Sequence, residues 1–131
     1  MKTDRSNQMK VCVTSRGDNL DSEVDPRFGR CGFFILVEPD SMKFTAFPNE
    51  MAAMSGGAGI QAGQFMAQKG VETVITGNCG PNAFRTLEAA GIEVFTGASG
   101  TIRDAIEAYK NGTLDSSQGP SVGSHFGMGG G

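Results

Sequence analysis

The chain has 131 residues, 38% of them apolar, which suits one domain with one core. Fourteen acidic against eleven basic residues leave a net charge of −3 with no long basic run, so nonspecific nucleic-acid binding is disfavoured. No apolar stretch approaches the roughly 20 residues of a membrane span, and three unevenly spaced cysteines make no disulfide framework.

Residues 1–8 are polar and read as a disordered leader. They lack the apolar segment of a signal peptide, which points to a cytoplasmic protein. Lys10 to Thr14, with its β-branched residues, reads as a first strand. Gly32 to Val37 reads as a second, after a polar loop from Ser15 to Arg30. Pro39-Asp40-Ser41 has turn chemistry, and Lys43 to Phe47 reads as a third strand at an edge. Ala58, Ala62, Phe65 and Met66 share one face of a helix over 57–69, and Gly70 suits its C-terminal cap. Val71 to Thr76 reads as a buried fourth strand. Pro81 suits the first turn of a second helix, whose inner face is Phe84, Leu87 and Ala90. Ile92 to Thr96 reads as a fifth strand. Thr101 is an N-cap for a third helix, with Asp104 three residues on. Its buried stripe is Ile102, Ala105, Ile106 and Tyr109. From Asp115 the chain turns polar and Gly-rich, which reads as a flexible tail.

The order βββαβαβα predicts an α/β domain over 9–115, with a five-stranded mixed sheet and three helices. The first, fourth and fifth strands should run parallel, with the second antiparallel to the first. Four loops then gather at the carboxyl edge of the parallel strands, where open α/β sheets bind ligands.

Those loops hold the unusual residues. The first carries Asp25-Pro26-Arg27-Phe28-Gly29-Arg30-Cys31; its arginines suit anions, although a solvated loop with Phe28 in the core explains it as well. The second, Ser55-Gly56-Gly57-Ala58-Gly59, exposes backbone N–H groups at a helix start. Its bland alternative is that Gly59 and Gly63 let the helix approach the sheet. The third, Gly77-Asn78-Cys79-Gly80-Pro81-Asn82, sets a thiol at a helix N-terminus, which would lower its pKa. A tight turn around a half-buried cysteine is the alternative. The fourth, Gly97 to Thr101, is ordinary helix-entering chemistry that also presents donors. Cys12 lies mid-strand as a core residue. Cys31 and Cys79 should be neighbours, too few for a structural zinc site. The one histidine, His125, sits in the tail, so Ser-His or Cys-His catalysis inside the fold has little to work with. Asp18, Asp21, Glu23 and Asp25 are either a hard-cation cluster or a solvated face.

Taken in order, Asp25-Pro26-Arg27-Phe28-Gly29-Arg30, Gly57-Ala58-Gly59-Ile60-Gln61, Thr76 to Phe84, Ala90-Gly91-Ile92 and Gly112-Thr113-Leu114 resemble the dinitrogenase iron–molybdenum cofactor biosynthesis family. That family holds nitrogenase-cofactor carriers, the C-terminal part of the cofactor-assembly radical enzyme, and small stand-alone proteins. The resemblance implies a ribonuclease H-like sheet and noncovalent binding of iron–sulfur or molybdenum–iron–sulfur clusters, or their precursors. Nuclease chemistry is not implied, because the first strand carries no carboxylate for a two-metal site. It implies a carrier rather than an enzyme, acting as a monomer with cluster donor or acceptor proteins, without nucleic acid or membrane. The cluster-binding residues it implies are Arg27, Phe28, Gly29, Arg30, Gly57, Ala58, Gly59, Gly77, Asn78, Gly80, Pro81 and Asn82. Cys31, Cys79 and His125 are the candidate metal ligands. Carrier members use a histidine in the folded domain, and here the histidine lies in the tail. Two other readings stand beside this one: a small enzyme or sensor taking a phosphate or nucleotide at the same loops, and an interaction module using its sheet edge.

Overall fold

The computed structural model describes residues 9–54 and 56–116. Residues 1–8, Ser55 and 117–131 lie outside the described residues, and with them the expected leader, most of the expected tail and His125. The elements are β1 (Val11–Ser15), β2 (Phe33–Val37), β3 (Phe44–Pro48), α1 (Ala58–Gln68), β4 (Thr73–Ile75), α2 (Pro81–Ala89), β5 (Glu93–Thr96), α3 (Ile102–Lys110) and β6 (Asp115–Ser116).

The sheet order is β3-β2-β1-β4-β5-β6. It therefore has six strands rather than the five expected. The extra one is the two-residue β6, paired antiparallel to the far edge of β5 through Phe95–Ser116 and Thr96–Asp115. Two polar residues offer no hydrophobic pattern, so only the backbone ladder makes them a strand. The expected directions hold: β1, β4 and β5 are parallel and β2 is antiparallel to β1. β3 is antiparallel to β2 and so runs the same way as β1. The carboxyl ends of β1, β3, β4 and β5 consequently share one edge.

β1 is central, and all five of its residues are buried. Its side chains alternate between two cores, as a pleated strand requires. Cys12 joins Phe34, Leu36 and Val74 against Ala62 and Met66 of α1 and Phe84 and Leu87 of α2. Val11 and Val13 join Ile35, Val37 and Ile75 against Ile102, Ala105 and Ile106 of α3. Two helices thus cover one face and one helix the other. Fully burying each such aliphatic or aromatic side chain contributes about 1.5–3 kcal/mol.

Gly59 and Gly63 do permit a close approach, but the partner is a helix and not the sheet. A Cβ on Gly59 would meet the Ala83 Cβ at 3.0 Å, and one on Gly63 would meet Thr86 Cγ2 at 2.7 Å. Spaced four apart on α1, the two glycines form the groove in which α2 lies.

Candidate functional site

The strand directions bring the loops after β1, β3, β4 and β5 to one end, and backbone hydrogen bonds sew them together. In the first loop, Phe28 N–H donates to the Asn78 carbonyl at 3.2 Å, and Asn78 N–H donates to the Pro26 carbonyl at 2.7 Å. Arg27 and Asn78 form a parallel bridge. Gly97 N–H reaches the Gly77 carbonyl at 2.9 Å, and Val24 N–H reaches the Gly100 carbonyl at 2.9 Å. A Cβ on Gly29 would meet the Gly59 Cα at 3.1 Å, so the first loop also lies on the start of α1.

The three helix N-termini at this end differ in how they are capped. Gly57 caps α1 and Gly80 caps α2, and neither glycine has a side chain to bond the first turn. Among the described residues, the first-turn N–H groups of α1, and those of α2 after Pro81, which itself has none, are therefore not taken up by the side chain of a cap residue. α3 is closed by a capping box: Thr101 Oγ1 accepts from Asp104 N–H, and Asp104 Oδ2 accepts from Thr101 N–H. The fourth loop is therefore occupied by its own carboxylate, and the anion-accepting N–H groups belong to the second and third.

The two arginines have different duties. Asp25 is buried and accepts from the Arg27 backbone N–H at 3.1 Å. Its two oxygens also take Arg27 Nε and Nη2, each at 3.2 Å. This fork holds the guanidinium in place and pushes its pKa further up. The Arg27 side chain stays 62% exposed, although its charge is paired with the Asp25 carboxylate. Arg30 Nη1 donates to the Ala52 and Met54 carbonyls at 2.6 and 2.7 Å, so its guanidinium braces the turn before α1. Phe28 is a core residue, 5.9 Å from the Phe34 ring.

The thiols behave otherwise than a helix terminus alone would dictate. Cys31 and Cys79 are both buried, in the same core cluster as Cys12. Burial pushes the Cys31 thiol up to about 12, the Asp25 carboxylate adds to it, and backbone hydrogen bonds at Ser15, Cys31 and Gly29 pull the other way. Burial alone pushes Cys79 up to about 12. The expected lowering at Cys79 does not occur because desolvation outweighs the helix dipole. Both thiols are neutral at neutral pH. Among the described residues, no group of three or more His, Cys, Asp or Glu side chains is placed to hold a metal ion. The carboxylates of the first loop are spread out instead, Asp21 to Arg103 at 2.9 Å and Glu23 to Arg16 at 4.0 Å.

Asn49 is a shaping residue that sequence reasoning missed. Its Nδ2 donates to the Gly29 carbonyl at 3.0 Å and the Cys31 carbonyl at 2.9 Å, strapping the first loop to the end of β3. An asparagine directly after an edge-strand proline was the available signal. Arg85 was also missed; it reaches back one turn of α2 to Asn82 Oδ1 at 2.8 Å. No helix among the described residues is long and apolar enough to cross a membrane.

Comparison with known proteins adds a family. The profile described as "Dinitrogenase iron-molybdenum cofactor" matches residues 9–112. An uncharacterised protein of Methanocaldococcus jannaschii is 29% identical over 97 residues, which are 72% of this chain and 82% of that one. The apo form of the orange protein from Desulfovibrio gigas is 37% identical, with a TM-score of 0.83 over 86% of this chain and 96% of its own. A Thermotoga protein named as a NifB candidate is also 37% identical, with a TM-score of 0.72 over 82% of this chain and 91% of its own.

Proposed function

The chain belongs to the dinitrogenase iron–molybdenum cofactor family, and from that premise we propose that it is a carrier for an anionic metal–sulfur cluster or its precursor, accessory to metallocluster assembly and not itself an enzyme. The observation that carries this reading is the pair of glycine-capped helix N-termini at one sheet edge, beside the exposed guanidinium of Arg27. Metal–sulfur clusters are anionic, bulky and polarizable. N–H groups at helix starts and the exposed guanidinium edge of Arg27 donate to such an anion without forming metal–protein bonds. Protonated, buried thiols suit the same role, because cargo held by charge and hydrogen bonds is released more readily than cargo held by thiolates. The donor set fits a preassembled cluster better than a bare metal ion, which needs several ligands of its own. The ribonuclease H-like character of the sheet belongs to this family reading, as do a cytoplasmic, monomeric state and exchange with cluster donor or acceptor proteins.

Anaerobic incubation with iron–sulfur or molybdenum–sulfur species, then desalting, visible absorbance and elemental analysis, tests it. The expected result is a coloured protein that retains metal and sulfide in fixed proportion. A protein that retains neither, but is protected against thermal unfolding by phosphate or a nucleotide, would instead be the binder of an anionic metabolite.

A further inference from the structure

The opposite end of the sheet holds a concavity, in which the four loops play no part. Its volume is about 300 Å³, the lower bound of ordinary small-molecule pockets, roughly 300–1,000 Å³. Leu36 and Phe47 give it an apolar floor, and Lys10, Lys43, Lys69 and Glu38 stand around it.

The lysines are unusual for a chain of net charge −3. Among the described residues, the ion pairs are those of Arg16, Arg27 and Arg103, and none involves these three ammonium groups. Lys10 has a structural duty: its Nζ donates to the Lys69 carbonyl at 3.2 Å, offsetting the negative end of α1. Lys69 follows α1 as its cap residue, and its ammonium lies 4.8 Å from the centre of the Phe47 ring and 5.6 Å from that of Phe65. The cation is thus held beside the floor by the ring faces. Lys43 closes the β2–β3 turn, fixed there by Glu38 N–H to the Lys43 carbonyl at 2.9 Å and Met42 N–H to the Glu38 carbonyl at 2.7 Å. Met42 holds a φ of +64° to make that turn, a conformation costly for a side chain of its size. The ammonium of Lys69 is set in place by the rings, the backbone of Lys43 by the turn, and neither lysine forms an ion pair among the described residues.

A purely apolar ligand would leave those charges unused, and a bare anion would leave the floor unused. We propose that this concavity binds a small molecule that joins a planar ring to an anionic group, the ring lying on Leu36 and the exposed rim of Phe47 and the anion between Lys43 and Lys69. Glu38, whose Oε1 accepts from Ser41 Oγ at 3.1 Å, faces the same space and accepts from an N–H or O–H of the ring portion. The inference is independent of the cargo reading, since the two sites lie at opposite ends of the sheet.

Amide NMR titration of the full chain tests it with five probes: adenosine 5′-monophosphate, naphthalene-1-sulfonate, adenosine, inorganic phosphate and a polyglutamate peptide. The two ring anions distinguish a nucleotide from an aromatic acid. One or both should move the amides of 36–47 and 69–71 saturably, with adenosine and phosphate at least about tenfold weaker. Lys43→Ala together with Lys69→Ala should weaken the ring anion at least about tenfold while the remaining amides keep their positions. Shifts confined to 57–60 and 80–83 would place the anion at the loop end and overturn the proposal. So would phosphate binding as tightly as the ring anions, binding unchanged in the double variant, or no saturable shift up to on the order of 10 mM. Tighter binding of a polyglutamate peptide than of either ring anion would make the surface a protein-docking face and equally overturn it.

Discussion

Gly77 and Pro26 touch so closely that a Cβ built on Gly77 would stand 2.7 Å from both the Cα and the Cβ of Pro26. This contact clamps the β4–α2 loop to the first loop, where Asn78 and Arg27 then pair. Gly77→Ala should push the two loops apart. Overpacking of this kind costs about 1–3 kcal/mol, read as a lower denaturant midpoint at unchanged slope. Gly56→Ala is the control: it meets nothing within 4 Å and its backbone is not left-handed, so it should change stability by no more than about 0.5 kcal/mol. Equal midpoints for the two variants would remove the clamp from the account.

Arg27 and Arg30 should separate in their effects. The Arg27 side chain is 62% exposed but its partner Asp25 is buried, so Arg27→Ala should cost about 1–3 kcal/mol of stability, the penalty of leaving a buried acceptor without its donors. It should weaken retention of a molybdenum–sulfur cluster by about 1.5–3 kcal/mol, the worth of a charge-assisted contact. Arg30→Lys keeps the charge, but its shorter side chain draws the donor back from the Ala52 and Met54 carbonyls and weakens the brace. It should leave cluster retention nearly intact and speed hydrogen exchange in 52–58. Retention lost in Arg30→Lys and kept in Arg27→Ala would reverse these roles.

Much of this was legible in the sequence, and the exceptions share a cause. β1, β2 and β4 are apolar runs, and the α1, α2 and α3 stripes have helical spacing, so burial wrote them into residue type, except that Ala90, expected on the inner face of α2, is the exposed cap residue after it and Ala83 is buried instead. The capping box at Thr101 and Asp104 was legible because it is local. The hidden features depend on backbone partners distant in the chain. β6 is two polar residues whose only strand character is a ladder to β5. Arg30 was read as a free cation because its acceptors are the carbonyls of Ala52 and Met54, which no side-chain pattern reveals. Cys31 and Cys79 look like loop thiols in the sequence because their spacing says nothing of how deeply the loop folds inward, whereas Cys12 is legible as core from its strand. Pro48 ends β3 within the sheet because an edge strand tolerates the missing N–H.

Buried thiols make stability fall in alkali. Cys31 and Cys79 are both pushed up from 9.0 to about 12 in the fold. The unfolded chain releases these protons first, so the native state binds more protons above pH 9 and stability declines with rising pH. The contribution is complete below about pH 9 and is lost progressively towards pH 12, at up to about 1.36 kcal/mol per pH unit per thiol. Cys31→Ala with Cys79→Ala should flatten the curve between pH 9 and 11 relative to the parent chain. At pH 8 the native thiols should resist a thiol-specific reagent until denaturant is added. Rapid native labelling, or an unchanged alkaline slope in the double variant, would contradict the burial of these side chains.

The sharpest test of charge at the loop end is an isosteric pair at Gly80. This residue caps α2 with no side-chain hydrogen bond and an extended backbone, φ −79° and ψ 174°, which any residue adopts. Asp and Asn are both strong N-caps, so Gly80→Asp and Gly80→Asn should each bond to the free N–H groups of α2 and raise stability by a few tenths of a kcal/mol. Both fill the same space and remove the same donors from the cluster. Only the aspartate adds a negative charge where an anionic cluster is proposed to sit. Cluster retention should therefore fall in both variants, and at least about tenfold further in Gly80→Asp than in Gly80→Asn, a difference of about 1.4 kcal/mol. Added salt should narrow that gap, because screening acts on the charge and not on the shape. If the two variants retain the cluster equally at low salt, the N-terminus of α2 does not face the anion, and the carrier reading loses the observation it rests on.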